Sequence, residues 1–470
     1  MQSDTASFLL VAKASKNTRK RQQGSKRVAV WAEKTLCRSS ANTCKRLDAA
    51  PTNTESSQGK KMYPNLLVNM RRGRIKTLLI IMSMFFILYF CSTTLMERFQ
   101  ASSQRKRPPI PRYGPEIRQV VFAKVHKAAS STMQNILMRF ALARNLDVVL
   151  PKQGISLSED GSNINRGSIV PHSQSKQFYD ILCNHVLYNE EEISKHFSKS
   201  AVRIAIVRDP VDQAVSALKF YYTVWDRTGA LTKGFNKHKE DPINSFLRNP
   251  QDFYEESFGP AASYINNRMS VDLGFPLTNF QESKKNNTMI REFLEQVERQ
   301  FDVVLISDYF DESLILMRRI LRWPMKNIVY LKVNVGENQT NSVWHKKPTL
   351  NSTIIERFRE WDKIDFQLYT HFFNIFLERI RIEPLFMEEV EAFRKIQFDL
   401  NYFCRNQSTE QVLRITKSEW TPSFTILKRE CDLMSISELK LTHVVRLRQT
   451  ARYEEYVRRN NATRLRARKY

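Results

Sequence analysis

The chain is 470 residues long and 42% hydrophobic, enough for a membrane segment and one large core. Its formal charge of +26 raises the question of a nucleic-acid partner, but residues 1–76 hold 17 Lys/Arg against 4 Asp/Glu and residues 443–470 hold 9 against 2. The modest surplus left to the middle of the chain can attract a polyanionic nucleotide and makes no case for DNA or RNA.

Residues 1–76 are rich in Ser, Thr, Lys and Arg, poor in acids and without sustained periodicity, which predicts a disordered tail. A mitochondrial transit peptide shares that composition, but the stretch that follows argues against one. Residues 77–96, TLLIIMSMFFILYFCSTTLM, form an uncharged run of 20, long enough to cross a hydrocarbon layer of about 30 Å as a helix. Arg71, Arg72, Arg74 and Lys76 crowd its front edge and only Arg98 follows closely, so the tail is expected in the cytosol and the rest in the lumen, a type II single-pass anchor. Met62 and Met70 are further candidate initiators, either of which leaves a short tail. Residues 97–118, with Pro108, Pro109, Pro111 and Pro115, read as a stiffened stem.

Beyond the anchor, Asn286, Asn338, Asn351, Asn406 and Asn461 each open an N-x-[ST] triplet, in keeping with a lumenal, glycosylated domain. Cys183, Cys404 and Cys431 in an oxidising lumen suggest one disulfide and one free thiol, with the pairing open.

From residue 119 strands and helices alternate: a strand at 120–122 and a helix to 142, strands near 148–150, 181–186 and 204–207, a helix through 220, a strand at 303–306 and a helix over 311–321. This predicts an α/β domain over residues 119–442, a P-loop-like parallel sheet flanked by helices with ligands at the carboxyl ends of its strands. A basic C-terminal segment, 443–470, is set apart from it by charge.

Two loops at such strand ends carry chemistry. After the first strand come His126, Lys127, Ala128, Ala129, Ser130, Ser131 and Thr132, then Met133, Ile136, Leu137, Phe140 and Ala141 at helical spacing, with Ser130 to Thr132 as candidate N-caps. Free backbone N–H groups and a helix dipole make this an anion site. The stretch has no glycine, so the Walker pattern is absent and a nucleoside triphosphatase or nucleotide kinase is disfavoured. In the second loop Arg208 ends a buried strand, Pro210 marks the turn and Ser216 lies on the next helix; a guanidinium fork with a hydroxyl suits a phosphate monoester.

The segments HKAASSTMQNILMRF, ILCNHVLYN, VRDPVDQAVSALKFYY, FDVVLISDYFDESLILMRRIL and WDKIDFQLYTHF together resemble the galactose 3-O-sulfotransferase family, which includes galactosylceramide sulfotransferase, from about residue 120 to 376. The resemblance implies the sulfotransferase fold and a Golgi location. It implies PAPS (3′-phosphoadenosine 5′-phosphosulfate) as donor, with the first loop on its 5′-phosphosulfate and Arg208 with Ser216 on its 3′-phosphate. It also implies a galactose-terminated glycolipid or glycan acceptor, sulfated at the 3-hydroxyl. Where the family usually has threonine this chain has Ala128.

Sulfuryl transfer needs charge offset on the leaving group, assigned here to Lys127, and a base for the sugar hydroxyl. Two histidines compete for that role, with His185 the first choice and His126 the second, a residue that can instead orient the loop or pack inside. His185 follows the apolar run Ile181 to Cys183, where other sulfotransferases carry their base; His126 adjoins Lys127, and alternation along an extended chain turns the two side chains to opposite faces. No His/Cys/Asp spacing resembles a metal site, so none is predicted. Asp308 and Asp311 read as helix caps, residues 301–321 as scaffold, and Tyr221, Tyr222 and Trp225 as core or stacking residues. Sulfation of another sugar or position, and a non-catalytic glycan-binding relative, are the competing readings.

Overall fold

The computed structural model describes residues 109–111, 113–158, 164–173, 176–224, 226, 228–331, 350–405 and 410–467, all within the unit Lys106–Tyr470. The tail, the apolar run 77–96, most of the stem, Trp225, Asn338 and Asn406 lie outside them; among the described residues no helix is long and apolar enough to cross a membrane. In chain order the elements are β1 (Val120–Ala123), α1 (Ser130–Arg144), β2 (Ile181–Leu182), α2 (Glu190–Ser194), β3 (Val202–Val207), α3 (Pro210–Val224), α4 (Ala230–Lys237) and α5 (Pro242–Arg248). Then follow α6 (Arg268–Asp272), α7 (Phe280–Ser283), α8 (Asn287–Gln300), β4 (Val303–Ile306), α9 (Phe310–Leu321), α10 (Ser352–Trp361), α11 (Lys363–Ile382) and α12 (Phe386–Arg405). The chain closes with β5 (Val412–Ile415), β6 (Phe424–Leu427), α13 (Lys428–Ser435) and α14 (Glu438–Ala467).

β1 to β4 form one parallel sheet in the order β2-β1-β3-β4. Val120, Val121, Phe122 and Ile204 to Val207 are fully buried, as expected of parallel strands covered on both faces. The expected strand at 148–150 is reduced to a single bridge from Val148 to Ile181, and the one at 181–186 to two residues. Beyond Leu182 the Asn184 side chain donates to the Ile155 carbonyl, and Ser156 pairs with His185 in an isolated bridge. Asp308 and Asp311 do not cap α9, whose N-cap residue Tyr309 makes no side-chain cap bond; Asp311 instead accepts from the Tyr330 hydroxyl.

A second, smaller core of Val211, Ala214, Leu218, Phe246, Phe253 and Phe358 fixes one side of α3. α6 and α11 cap each other. The Asp365 carboxylate accepts from the backbone N–H of Met269 (2.9 Å) and Ser270 (2.8 Å), and Asn267 returns the favour with its Oδ1 on the N–H of Ile364 (2.7 Å). Gly274, at φ +91°, follows α6 where a Cβ would meet the Tyr188 carbonyl oxygen at 2.5 Å, so only glycine lets the chain leave there.

The sequence boundary at 442/443 falls inside α14, and Leu441, Thr442, Val445 and Gln449 on both sides of it are buried. Gln449 is the anchor: its amide accepts from Val148 N–H (2.9 Å) and donates to Val148 O (3.1 Å). The start of the basic segment is therefore part of the α/β domain. Asn286 and Asn351 are exposed N-caps, with Oδ1 on Thr288 N–H (3.0 Å) and Ile354 N–H (2.9 Å), and Asn461 is exposed on α14.

Cys404 and Cys431 form the disulfide, closing a separation of 27 residues that contains the β5-β6 hairpin, and Cys183 is a buried free thiol. Loop-closure entropy puts the effect of the cross-link at roughly 3–4 kcal/mol. Denaturant melts of the wild type and of Cys404→Ser/Cys431→Ser are expected to differ by that amount, and a difference near zero contradicts the cross-link.

Candidate active site

Because β1 is flanked by β2 and β3, the segments leaving their carboxyl ends run side by side. His185 follows β2, His126 and Lys127 follow β1, and Arg208 follows β3, so residues 23 to 82 positions apart in sequence meet in one place. The Arg208 guanidinium donates to the Lys127 carbonyl (3.1 Å), which puts the two expected anion-binding cations side by side. Asp212 lies 3.9 Å from Arg208, a loose, exposed pair that leaves the guanidinium able to take another anion.

The loop does without glycine by strain. Lys127 (φ 61°) and Ala129 (φ 60°) both adopt the left-handed conformation, and alternation of that kind turns successive N–H groups toward one point. The carbonyls of the turn are tied back by Ser130 Oγ on Val125 O (2.6 Å), Gln213 Nε2 on His126 O (3.1 Å) and Arg208 on Lys127 O. Among the described residues the N–H groups of Lys127 to Ser131 meet no acceptor. The turn thus leaves these N–H groups together and unused at the place where the sequence reading expects an anion, and it departs from that reading in its details. Ala129, not Ser130 to Thr132, is the N-cap residue, and it makes no side-chain cap bond. Thr132 N–H is used by Ala129 O (3.1 Å), and the Ser130 and Ser131 hydroxyls are committed to Val125 O and to Glu438 Oε2 (3.1 Å). Ala128 is fully buried, so its contribution is backbone only.

The Lys127 ammonium sits 4.0 Å above the centre of the Phe220 ring, and burial, reinforced by Arg208, pushes its pKa down to about 8. On α3, Gln213, Ser216 and Phe220 share a face by helical spacing, which sets the half-buried Ser216 between the loop-holding amide and the ring under Lys127. Its hydroxyl has no protein partner among the described residues.

The two histidines are stacked, ring centres 4.2 Å apart and 19° from parallel. They differ in their partners. His126 Nδ1 meets the Asp272 carboxylate at 2.8 and 3.0 Å, and the same carboxylate accepts from His126 N–H (2.7 Å) and pairs with Arg268 (2.7 Å). Against the cost of burial, Arg268 and His126 hold the Asp272 carboxyl below the usual carboxylate range. Burial outweighs Asp272 in pushing His126 down, so its ring is neutral at pH 7 with the proton on Nδ1 and the lone pair on Nε2. His185 has a buried Nδ1 without a partner and an Nε2 3.8 Å from Glu438; burial and then Lys124 press its pKa well down. His126 turns to Asp272 and Lys127 to Phe220, but the two diverge in a left-handed turn and not along the extended chain that the alternation argument assumes.

Tyr264 stacks on Tyr221 (3.8 Å) and lies 5.1 Å from the His126 ring, while Tyr222 packs on Phe235 (3.9 Å). Sequence patterns had not singled out Asp272, Arg268, Gln213, Tyr264, Lys124 or Glu438. None belongs to a spacing motif; Lys124, two residues before His126 and 1% exposed, was the one visible irregularity, a cation at the end of an apolar strand.

The family model described as galactose-3-O-sulfotransferase matches residues 59–423. The chain belongs to the galactose-3-O-sulfotransferase family. Galactose-3-O-sulfotransferase 2 of Mus musculus is 31% identical over 304 residues, 62% of this chain and 70% of that protein; its Sus scrofa counterpart is 34% identical over 274 residues, 57% and 64%. Galactosylceramide sulfotransferase of Homo sapiens is 28% identical over 289 residues, 61% of this chain and 64% of that protein. The match thus spans about two thirds of these relatives' own length. In this family member the Lys127 turn and Arg208 are in direct contact through the Lys127 carbonyl.

With its pKa near 8, the free ammonium of Lys127 is lost as pH rises through that value. Affinity for adenosine 3′,5′-bisphosphate, titrated calorimetrically from pH 7 to pH 9.5, is expected to fall through about pH 8 in the wild type. In Lys127→Ala affinity is expected to be weaker throughout, by roughly tenfold or more, and to lack that limb. A limb that persists in the variant assigns it to another group.

Proposed function

We propose that the enzyme moves the sulfuryl group of PAPS to the 3-hydroxyl of a terminal galactose, on a glycolipid of the galactosylceramide type or on a glycoprotein glycan, at the lumenal face of the Golgi membrane. One observation carries the reading: an anion cradle at Lys127 and Arg208 adjoins a histidine whose tautomer a buried carboxylate sets. The names of the relatives support galactose and position 3, and the apolar run 77–96 with its basic front edge supports a type II anchor.

The residues present fit PAPS. The unused N–H groups of Lys127 to Ser131 and the Lys127 ammonium suit its 5′-phosphosulfate, and Arg208 with the unpartnered Ser216 hydroxyl suits its 3′-phosphate. When bound, PAPS supplies a sulfuryl group on a phosphate leaving group. Lys127 offsets the negative charge that gathers at the bridging oxygen. His126 Nε2 takes the proton of the galactose hydroxyl, and Asp272 stabilises the imidazolium that results. His126 is preferred to His185 as base because it alone has an orienting carboxylate in hydrogen-bond contact. Tyr264 and Tyr221, beside the His126 ring, offer an aromatic wall to a sugar face.

Incubation with ³⁵S-labelled PAPS and a panel of galactosylceramide, lactose-type and mucin-type acceptors tests this. The wild type is expected to label at least one; Lys127→Ala, Arg208→Ala, His126→Ala and Asp272→Asn are each expected to lose about a hundredfold or more in kcat/KM. Wild-type activity undiminished in His126→Ala but lost in His185→Ala would transfer the base role to His185. No labelled acceptor at all favours a non-catalytic glycan-binding protein.

A further inference from the structure

The family match ends at residue 423, yet α14, which begins fifteen residues later at Glu438, reaches the site. Glu438 Oε1 lies 2.5 Å from Lys124 Nζ and 3.8 Å from His185 Nε2, and its Oε2 accepts from Ser131 Oγ (3.1 Å). Lys124 is buried and also donates to Gln134 Oε1 (2.5 Å), so its ammonium has no access to bulk water to compensate the loss of a carboxylate. The helix is not free to swing the residue away. Gln449 is locked to the Val148 backbone, and Arg446 donates to Pro151 O (2.8 Å).

The charged groups facing the stacked imidazoles come from several elements: Lys124 after β1, Arg268 and Asp272 on α6, and Glu438 on α14, with the rings of Tyr221 and Tyr264 beside His126. Two cations and two carboxylates balance while both rings are neutral. We propose that Glu438 is a positioning residue of the sulfuryl-transfer site: its carboxylate pins Lys124 and Ser131 and supplies the second negative charge that lets the imidazole pair accept the acceptor's proton. The inference rests on His126 as base. Without the carboxylate, Lys124 and Arg268 face only Asp272, the imidazolium is disfavoured, and the base becomes weaker. A base with a lower pKa is deprotonated at lower pH, so the acid limb of the rate profile moves down while the plateau falls.

The full chain serves for the test, as wild type, Glu438→Gln, Lys124→Met, the double variant Lys124→Met/Glu438→Gln, and Glu454→Gln as a control on an exposed carboxylate of the same helix. The pH profiles of kcat and kcat/KM are measured for transfer from ³⁵S-labelled PAPS to the best galactoside. In Glu438→Gln, kcat is expected to fall about tenfold and the acid limb to shift down by about one pH unit, with the galactoside KM within roughly twofold. Restoring the charge balance in the double variant is expected to return the limb toward the wild-type pH whatever its rate, which also covers the case in which Glu438→Gln alone does not fold. Glu454→Gln is expected to match the wild type. An unmoved limb in Glu438→Gln, or a limb that stays shifted in the double variant, overturns the inference and leaves Glu438 as a support of the fold. A wild type with its base role on another residue, shown by an active His126→Ala, overturns the underlying reading instead.

Discussion

Three successive carbonyl oxygens, of Val125, His126 and Lys127, are each held by a side-chain donor, from Ser130, Gln213 and Arg208. The site depends on that arrangement. Two non-glycine residues in the left-handed region cost roughly 1–3 kcal/mol each. Three hydrogen bonds at about 1 kcal/mol apiece, more where a guanidinium donates, are of the same size, so the strain is sustained only while α3 delivers Gln213 and β3 delivers Arg208. A glycine-rich loop would fold by itself and stay pliable. This loop is set by its surroundings, and its N–H groups are left free in a fixed arrangement.

A second constraint governs the acceptor side. α6 is short and contributes few propagating hydrogen bonds of its own, so its orientation is imposed by Asp365 at its N-terminus and by Gly274 at its exit. That orientation is what aims Arg268 and Asp272 at His126. Asp365 is fully buried, and burial, though opposed by the Ser270 hydrogen bonds, pushes its carboxyl up to about 6. The segment WDKIDF therefore acts at a distance: it holds the helix that holds the carboxylate that orients the imidazole. Energy spent on burying these polar groups is returned as a fixed geometry rather than as stability.

The two sides meet in the packed imidazoles and in Lys124. Burial of an ammonium this close to two histidines is unfavourable for any proton they accept; Asp272 opposes that effect at His126, and Glu438 pairs with the ammonium itself. The C-terminal helix is thus coupled to the centre of the molecule by charge as well as by the Gln449 lock on Val148.

Short-range physics was legible in the chain. The apolar runs at 120–122, 204–207 and 303–306, the helical spacing from Met133 to Ala141 and the places of Lys127 and Arg208 just after strands all follow from local periodicity, and each lies where that periodicity put it. The family followed from several such segments in order. What the sequence could not determine are features made by groups far apart along it. The left-handed turn at Lys127 and Ala129 has no glycine to announce it, because its stabilisation comes from Gln213 and Arg208. Asp272 lies 146 residues from His126, and Glu438 lies 314 residues from Lys124. Buried charges reveal their role only through their partners, and the choice between His126 and His185 turned on which ring a folded chain gives a carboxylate.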